Sequence, residues 1–308
     1  MRSPAQEAGR LARYARNRRG AGEGALPVPS RFRPLSHRYA GHAGPWIEDA
    51  FYAFWRARRP AGIDRVYVPV FWTDYYLRHG RLAAHPELQA FLDGALSPDR
   101  RYFTIVQNDD GVLERLPANV LVFGAGAGDM PIPLLGRRPP RTAERARDVF
   151  CSFMGATSGP SDRFGVRSAL EAALSGKPGF FFGRGSYDEF VDVTGRSTFA
   201  LAPRGYGPSS YRLYEAMALG AVPVYVWADV EWLPWREALD WDALALRVEA
   251  ADLERIPELL RSLSADEIQA KREAAAAVFE DYFTLRGTCE RIVERLRTSE
   301  AAPASSAA

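Results

Sequence analysis

Apolar residues in this chain follow two patterns, short continuous runs and longer stretches with helical spacing. The short runs predict β-strands at residues 65–71, 102–106, 120–123, 149–154, 179–182, 198–202 and 222–227. Helical spacing predicts α-helices at residues 45–57, 82–92, 161–174, 209–219, 251–263, 264–283 and 288–297. Because strands and helices alternate, we expect an α/β fold. The apolar strands of the second half are typical of a parallel sheet covered on both faces.

Composition along the chain predicts two domains and two tails. Residues 136–147 are rich in Pro and Arg, as in a linker. We therefore expect an N-terminal, acceptor-side α/β domain at residues 31–140 and a C-terminal domain at residues 141–285. Residues 1–30 carry many arginines but no apolar segment of a signal peptide, which predicts a disordered basic tail. Residues 286–308 are expected to form a terminal helix and a second disordered tail.

The overall charge balance excludes some classes of partner. The 308 residues are 47% hydrophobic and 25% charged, and the net charge of +2 argues against nucleic acid as the main partner. No segment has the length of a transmembrane span, so a cytoplasmic location is expected. Contact of the basic tail with anionic lipid, at the inner membrane face, is the alternative. Two distant cysteines and four scattered histidines form no metal or disulfide framework.

One segment combines glycine, serine and arginine directly after the strand predicted at residues 198–202. It turns through Gly205 and Gly207 and enters a helix, which is where α/β sheets bind ligands. The glycines would let backbone amides approach an anion closely, and Pro208 suits the first helical region. The free amides at such a helix start favour a diphosphate.

Charged side chains flank this turn. Arg204 precedes it and Arg212 lies about one turn into the helix, and either can hold phosphate oxygens in a bidentate manner. Glu215 shares a helix face with Arg212, and a carboxylate there can accept both hydroxyls of a ribose. The alternative is a surface salt bridge between Arg212 and Glu215, with the glycines serving only a turn.

Several stretches around this segment resemble the exostosin-type glycosyltransferases, glycosyltransferase family 47. The matching stretches are residues 197–205, 209–216 and 220–224, with more at 153–155, 167–168, 233–235 and 240–241. The resemblance covers roughly residues 149–283. It is fainter in the N-terminal half, at residues 66–69 and 132–133.

The resemblance implies a GT-B architecture, two Rossmann-like domains facing a cleft with the nucleotide on the C-terminal one. It implies inverting transfer of a sugar from a nucleoside-diphosphate donor, usually UDP-linked, to a glycan or glycolipid acceptor. Surface polysaccharide synthesis is the expected pathway. By the same resemblance Arg204 and Arg212 contact the diphosphate and Glu215 binds the ribose. The remaining donor-site positions are Gly155, Arg163, Arg167, Gly205, Tyr206, Gly207, Pro208, Ser209 and Ser210.

Inverting transfer also needs a base, which we expect in the N-terminal half. The catalytic candidates are Asp109, Asp110 and Glu48, with Asp74 and His42 as rivals. Asp109 and Asp110 follow a predicted strand, the end of a sheet that suits catalysis, although each candidate could instead serve a turn or cap. The adjacent acidic pairs Asp109-Asp110 and Asp188-Glu189 lack the Asp-x-Asp spacing of a metal motif, so we expect metal-independent catalysis with no cofactor besides the sugar donor. Arginines and a helix N-terminus would neutralise the leaving diphosphate.

Three further points stay open from the sequence. The tryptophans after the last strong strand could form an acceptor platform or pack in a core; they are Trp227, Trp232, Trp235 and Trp241. A nucleotide-sugar epimerase of GT-B fold would use the same scaffold without an acceptor. A non-catalytic module that binds nucleotide sugars would keep the nucleotide site alone.

Overall fold

The computed structural model describes residues 12, 15, 19–34, 46–80, 84–140 and 146–301. Strands β1 to β9 span Val66–Tyr67, Tyr102–Val106, Val120–Gly124, Met130–Pro131, Val149–Met154, Phe180–Gly183, Ser197–Pro203, Val222–Trp227 and Leu246–Glu249. Helices α1 to α10 span Ile47–Arg58, Trp72–His79, Pro86–Ala95, Val166–Leu174, Tyr187–Gly195, Tyr211–Ala218, Trp241–Leu244, Ile256–Ser262, Ala265–Tyr282 and Leu285–Ala301. Short 3₁₀ helices occupy Ser30–Phe32, Gly159–Asp162 and Ala250–Arg255.

The predicted α/β class with parallel sheets is confirmed. Strands β2, β5 and β8 have the predicted bounds. The first predicted strand, at residues 65–71, is much shorter than expected, since only Val66 and Tyr67 form β1. Pro69 has no N–H to donate to a sheet, and the chain turns soon afterwards into α2, a helix that the sequence pattern did not predict.

Two compact units make up the chain, Met1–Met130 with Leu285–Ala308 as unit 1 and Pro131–Thr284 as unit 2. The division comes ten residues before the boundary expected at 140/141. The described ends of the expected linker belong to unit 2. Arg138 forms an ion pair with Glu280, and Arg147 donates to the Ser197 carbonyl. Two of the arginines that gave this segment a linker composition, Arg138 and Arg147, are therefore used for contacts within unit 2.

Unit 1 is built on a sheet of order β1-β2-β3-β4, in which β1, β2 and β3 are parallel. All five residues of β2 are buried. An aromatic cluster on α1 packs against the sheet, where the Phe51 ring meets Tyr67 and Phe103 edge-on at 5.2 and 5.9 Å. The continuous apolar run at β2 thus marks a strand covered on both faces.

The segment before residue 31 is not a disordered tail throughout. Leu26 donates its N–H to the Tyr67 carbonyl at 2.8 Å, and Tyr67 donates to Gly24 at 2.9 Å. Val28 is buried in the apolar cluster of unit 1. The described residues from 19 onward belong to the domain because this backbone pairs with β1, and the arginines expected in the tail before Arg19 lie outside the described residues.

Helix α10 is also part of unit 1 instead of a separate terminal element. It packs against α1. Its buried apolar side chains are Cys289, Ile292, Val293 and Leu296, spaced as one helical stripe. An apolar stripe of this kind needs a partner surface, which explains why the helix returns to the N-terminal unit. The second disordered tail, after residue 301, lies outside the described residues.

Unit 2 contains a parallel sheet of order β6-β5-β7-β8-β9. Apolar residues of β5, β7 and β8 are buried together with the inner face of α4. The capping box predicted at Ser264 and Glu267 begins α9 as expected, and Ser186 with Glu189 begins α5 in the same way. Since the strands are parallel, the carboxyl ends of β5, β7 and β8 meet at one edge of the sheet.

The tryptophans after β8 divide between two environments. Trp235 and Trp241 are buried, and the Trp241 indole N–H donates to the Pro234 carbonyl at 2.8 Å. Trp227 and Trp232 are half-buried. Core packing, the alternative left open by the sequence, therefore describes Trp235 and Trp241. Along the described chain, no helix is long and apolar enough to cross a membrane.

The end of β3 has room for glycine only. A Cβ at position 124 would overlap the Ala127 carbonyl oxygen, which the tight turn after β3 brings back onto the strand. We expect Gly124→Ala to lower the free energy of unfolding by about 1–3 kcal/mol, the usual cost of overpacking. Urea unfolding would measure it.

Gly94 provides the matched control. It lies on an exposed face of α3, where a Cβ would have no other atom within 4 Å. Gly94→Ala should raise stability by about 0.5–1 kcal/mol, because alanine favours the helix. Equal stabilities for both variants would contradict the steric argument at Gly124.

Candidate functional site

The carboxyl ends of three neighbouring strands carry the motif residues of unit 2. Residues 155–156 follow β5, residues 204–210 follow β7 and residues 228–232 follow β8. In parallel sheets this edge is where ligands bind. The structure therefore brings together the residues that the sequence placed in separate stretches of the second half.

Two arginines hold the loop after β5 from either side of Gly155. Arg212 donates its Nε–H to the Met154 carbonyl at 2.9 Å. Arg167 donates from Nη1 to the Ala156 carbonyl at 3.3 Å. Both guanidinium groups thus fix backbone next to Gly155 and are themselves held in place before any ligand arrives.

Arg204 is the most buried charged group of the site, with 2% of its side chain exposed. Its guanidinium forms an ion pair with Asp229, whose side chain is 51% exposed. It also lies 3.9 Å from the centre of the Phe164 ring, a cation–π contact. The Arg204 carbonyl accepts a hydrogen bond from Arg167 Nε at 3.1 Å. A buried cation is therefore neutralised by a carboxylate that faces solvent.

The turn after β7 differs from the expected one at Pro208. Neither Gly205 nor Gly207 has a positive φ. A Cβ at position 205 would lie 2.9 Å from Nη2 of Arg167, so a larger residue there would displace that guanidinium group. Helix α6 begins at Tyr211, so Pro208 lies in the loop and not in the first helical turn. Its carbonyl accepts a hydrogen bond from the buried Tyr225 hydroxyl, so this position is shaped by tertiary contact.

Ser209 and Ser210 are both buried, with 2% exposed. Ser210 occupies the N-cap position of α6, where a serine hydroxyl usually accepts from a helix amide. Here it makes no such bond, and the Ser210 hydroxyl has no hydrogen-bond partner among the residues that the structure describes. A buried hydroxyl in this state is available to a ligand oxygen.

The Arg212–Glu215 ion pair, the alternative left open by the sequence, is present. It is not a surface pair, because Glu215 is only 7% exposed. Burial raises the pKa of the Glu215 carboxyl, and the charge of Arg212 opposes this shift. The Arg212 guanidinium also lies 4.0 Å from the centre of the Phe190 ring. Both side chains are held near the end of β5, and ribose binding by Glu215 stays a prediction.

Arg163 lies at the rim of the same site. Its guanidinium carbon is 5.0 Å from the centre of the Tyr206 ring and 5.5 Å from that of Phe164. Arg163 and Arg167 both lie close to Arg204, through Phe164 and through the Arg204 carbonyl respectively, and their contact with a sugar donor stays a prediction.

In unit 1, Glu48 is buried at the start of α1 beside the end of β2. Its Oε1 accepts from the Thr73 hydroxyl at 2.6 Å, from the Thr73 amide at 3.2 Å and from the Gln107 amide at 3.0 Å. Its Oε2 has no hydrogen-bond partner within the described part of the chain. Burial raises the pKa of this carboxyl. Glu48 therefore joins α1, the start of α2 and the end of β2.

The other candidate bases differ in accessibility. Asp109 and Asp110 are half-buried in the turn after β2, two and three residues beyond Gln107. Asp74 is buried and accepts from the Trp46 indole N–H at 3.1 Å, which gives it a structural role. His42 lies outside the described residues. Asp109 and Asp110 thus follow the end of β2, as the strand-end argument predicts, and Glu48 lies at the same strand end through its bond with the Gln107 amide.

Two contacts of the unit 2 site were not predicted from the sequence. Asp229 follows shortly after β8, and the rule that ligands bind at the carboxyl ends of strands would have drawn attention to it. No sequence signal of this kind marks Phe164, because the residue lies in a loop that the apolar pattern assigned to a helix. Among the described residues, no group of three or more His, Cys, Asp or Glu side chains is placed to hold a metal ion.

Comparison with known proteins agrees with the resemblance found in the sequence. Residues 127–263 match the family model of the Exostosin GT47 domain, which is less than half of the chain. The Exostosin-1 homolog of Caenorhabditis elegans is 39% identical over 101 residues, 33% of this chain and 25% of that protein. The predicted resemblance to the exostosin family is confirmed for this segment.

A second relative comes from plants. A probable glucuronoxylan glucuronosyltransferase of Arabidopsis thaliana is 30% identical over 148 residues, 43% of this chain and 31% of that protein. The chain thus spans about a quarter to a third of the length of these two relatives. The crystal structure of AviGT4, a glycosyltransferase involved in avilamycin A biosynthesis, aligns with 17% identity and a TM-score of 0.36, covering 70% of this chain and 78% of that one.

The raised pKa of Glu48 predicts a pH dependence of stability. A carboxyl whose pKa is higher in the folded state stabilises the fold below its unfolded-state pKa, near 4.5, and this contribution is lost as the pH rises through the folded pKa. Glu48→Gln keeps the accepting oxygen and removes the titration. Relative to this variant, the parent should lose stability as the pH rises from about 4 to about 8 in urea unfolding.

Glu267 supplies a control of opposite sign. Hydrogen bonds from Ser264 lower the pKa of the Glu267 carboxyl, so its contribution is present above the unfolded pKa and lost as the pH falls. The parent should therefore lose stability relative to Glu267→Gln toward acid pH. Parallel pH profiles for the parent and Glu48→Gln would contradict the assignment of Glu48.

The ion pair of Arg204 predicts competition between Asp229 and a bound anion. Asp229→Asn removes the internal counter-charge, so inorganic pyrophosphate should bind more tightly, roughly two- to fivefold, since half-exposed ion pairs are weak. Isothermal titration calorimetry would measure this. Asp192→Asn, which removes an exposed partner of Arg196 at 48% exposure, is the control and should change nothing. Weaker binding by Asp229→Asn would show that Asp229 positions Arg204 instead.

Proposed function

We propose that the chain is an exostosin-type glycosyltransferase, starting from its match to that family over residues 127–263. The observation that supports this most is the arginine-lined edge of the second sheet, which lies inside the matching segment. Arg204, Arg212 and Arg167 converge there from three different elements, all held by backbone carbonyls or carboxylates. Such a preorganised positive site suits the diphosphate of a sugar nucleotide.

We propose that Arg204 and Arg212 contact the diphosphate and that Ser209 and Ser210 add hydrogen-bond donors. Arg204 can exchange Asp229 for a phosphate without leaving its buried position, since Asp229 is the exposed partner. Glu215 is proposed to bind the ribose. Neutralisation of the leaving diphosphate by these arginines would make the reaction independent of metal, with no cofactor besides the donor.

For the base, accessibility separates the candidates. Glu48 is 1% exposed and its Oε1 is occupied by three donors, so an acceptor hydroxyl cannot reach it from solvent. We therefore propose that Asp109 or Asp110 acts as the base and that Glu48 holds the strand end that carries them. The GT-B architecture requires two α/β units with parallel strands, and each of the two units contains such strands.

The donor and the pathway are proposed more broadly. A UDP-linked sugar transferred with inversion to a glycan or glycolipid of a surface polysaccharide fits the family, with action in the cytoplasm or at the inner membrane face. The plant relative is named a glucuronosyltransferase, so UDP-glucuronic acid belongs in the first donor panel.

The test is incubation of the purified chain with a panel of nucleotide sugars, with and without glycan acceptors. Release of nucleoside diphosphate that depends on an acceptor is the expected result. Interconversion of sugars without an acceptor would instead show an epimerase. Binding without turnover under all conditions would show a non-catalytic module.

Arg212 gives the sharpest variant test of the donor site. Arg212→Ala should weaken UDP binding by about 1.5–3 kcal/mol, roughly 10- to 150-fold, because it removes a charged hydrogen bond. Fluorescence or calorimetric titration measures it, with a thermal unfolding scan to confirm the fold. The matched control is Arg196→Ala in the same unit, whose partners are Asp148 and Asp192. If both variants bind UDP like the parent, the donor site is misplaced.

A further inference from the structure

Phe164 is the most exposed large apolar side chain among the described residues, with 47% of it accessible. Exposure of one phenylalanine is common and means little by itself. The position of this ring is unusual because it lies directly on the guanidinium of Arg204, 3.9 Å from ring centre to Cζ. An exposed aromatic surface thus adjoins the most buried positive charge of the donor site.

The loop that carries Phe164 is fixed by hydrogen bonds. Asp162 accepts from the Arg167 amide at 2.7 Å, and from the Ser168 amide and hydroxyl at 3.0 and 2.7 Å. Gly165 follows Phe164 with a φ of 68°, in the left-handed region that favours glycine, and begins α4. The exposed ring is therefore presented by a well-defined turn instead of a loosely held loop.

Two arginines lie close to the Phe164 ring. Arg204 contacts the ring, and Arg163 lies 5.5 Å from its centre and 5.0 Å from that of Tyr206. Flat π systems stack on aromatic side chains, and nearby guanidinium groups add to this attraction. In a nucleoside diphosphate, one ribose separates the base from the phosphates. A ring in contact with a phosphate-binding arginine is therefore within reach of the base.

From these contacts we propose that Phe164 is the stacking platform for the nucleobase of the donor, an inference that rests on the proposed diphosphate site at Arg204. Stacking accepts any base, because every base has a π face. Phe164 would thus contribute affinity for the nucleoside part, while Arg204 beneath it binds phosphate.

Comparing UDP with inorganic pyrophosphate tests this, because pyrophosphate has the two phosphates and lacks the base. Phe164→Ala should weaken UDP binding about five- to 150-fold and leave pyrophosphate binding unchanged within about twofold. Phe164→Trp should restore UDP binding to within a few-fold of the parent. Phe181→Ala, a phenylalanine with 43% exposure on β6, is the matched control and should bind both ligands like the parent.

Several outcomes would overturn the proposal. Equal losses for UDP and pyrophosphate in Phe164→Ala would show that the ring only supports Arg204, and unchanged UDP binding would show that it does not contact the base. If the parent binds neither UDP nor pyrophosphate, the donor site itself is wrong. If the parent binds both ligands and Phe164→Ala changes the binding of UDP and pyrophosphate by the same factor, the donor site is correct and only the stacking role of Phe164 is wrong.

Discussion

Buried guanidinium groups must be neutralised or hydrogen-bonded, and unit 2 is organised around this requirement. Arg204 is almost inaccessible, and its charge is balanced by Asp229. Arg167 donates to the carbonyls of Ala156 and Arg204, and Arg212 donates to the Met154 carbonyl and forms an ion pair with Glu215. Three strand ends are thereby tied together through cations. The same contacts that stabilise the edge of the sheet also hold three guanidinium groups in fixed positions, so stability and the proposed anion binding would share one set of side chains.

In unit 1 the buried charged group is acidic, and it too is satisfied by hydrogen bonds. Glu48 is a buried carboxylate, and the amide and hydroxyl donors of two other elements converge on one of its oxygens. It thereby fixes the backbone at Gln107 just before the turn that carries Asp109 and Asp110. The candidate bases Asp109 and Asp110 are half-buried, whereas Glu48, which holds the backbone before them, is buried. Different acidic side chains would thus act as the base and as its structural support.

Much of this fold could be predicted from the chain itself. Strands such as β5 and β8 are continuous apolar runs, and burial on both faces leaves that pattern unambiguous. The turn after β7 was recognisable because glycine, serine and arginine follow a strand directly. The local signals failed where tertiary contacts decide the conformation. Pro208 lies outside the helix, and the buried Tyr225 hydroxyl holds its carbonyl. Phe164 reaches Arg204 through a loop that the apolar pattern assigned to a helix.

Domain boundaries were harder to predict for the same reason. Proline and arginine gave residues 136–147 the composition of a linker, yet Arg138 and Arg147 find partners within unit 2. Helix α10 returns to unit 1 because its apolar stripe packs on α1, an association that joins distant parts of the sequence. Composition reflects the local conformational preference of a segment, whereas the position of these segments in the fold is decided by tertiary contacts.

The Tyr225 hydroxyl has a consequence for how fast a ligand can bind. It donates to the Pro208 carbonyl and accepts from the Trp232 amide, both at 3.1 Å, so one buried phenol joins the loop after β7 to the loop after β8. Burial raises the pKa of Tyr225 to about 12, which keeps the phenol protonated as a donor throughout the physiological range. Neither loop can swing away alone without leaving buried polar groups unsatisfied. The two loops are thus joined before any ligand arrives, so we expect a ligand at this edge of the sheet to bind at a rate set by diffusional encounter and charge steering instead of a slow loop rearrangement.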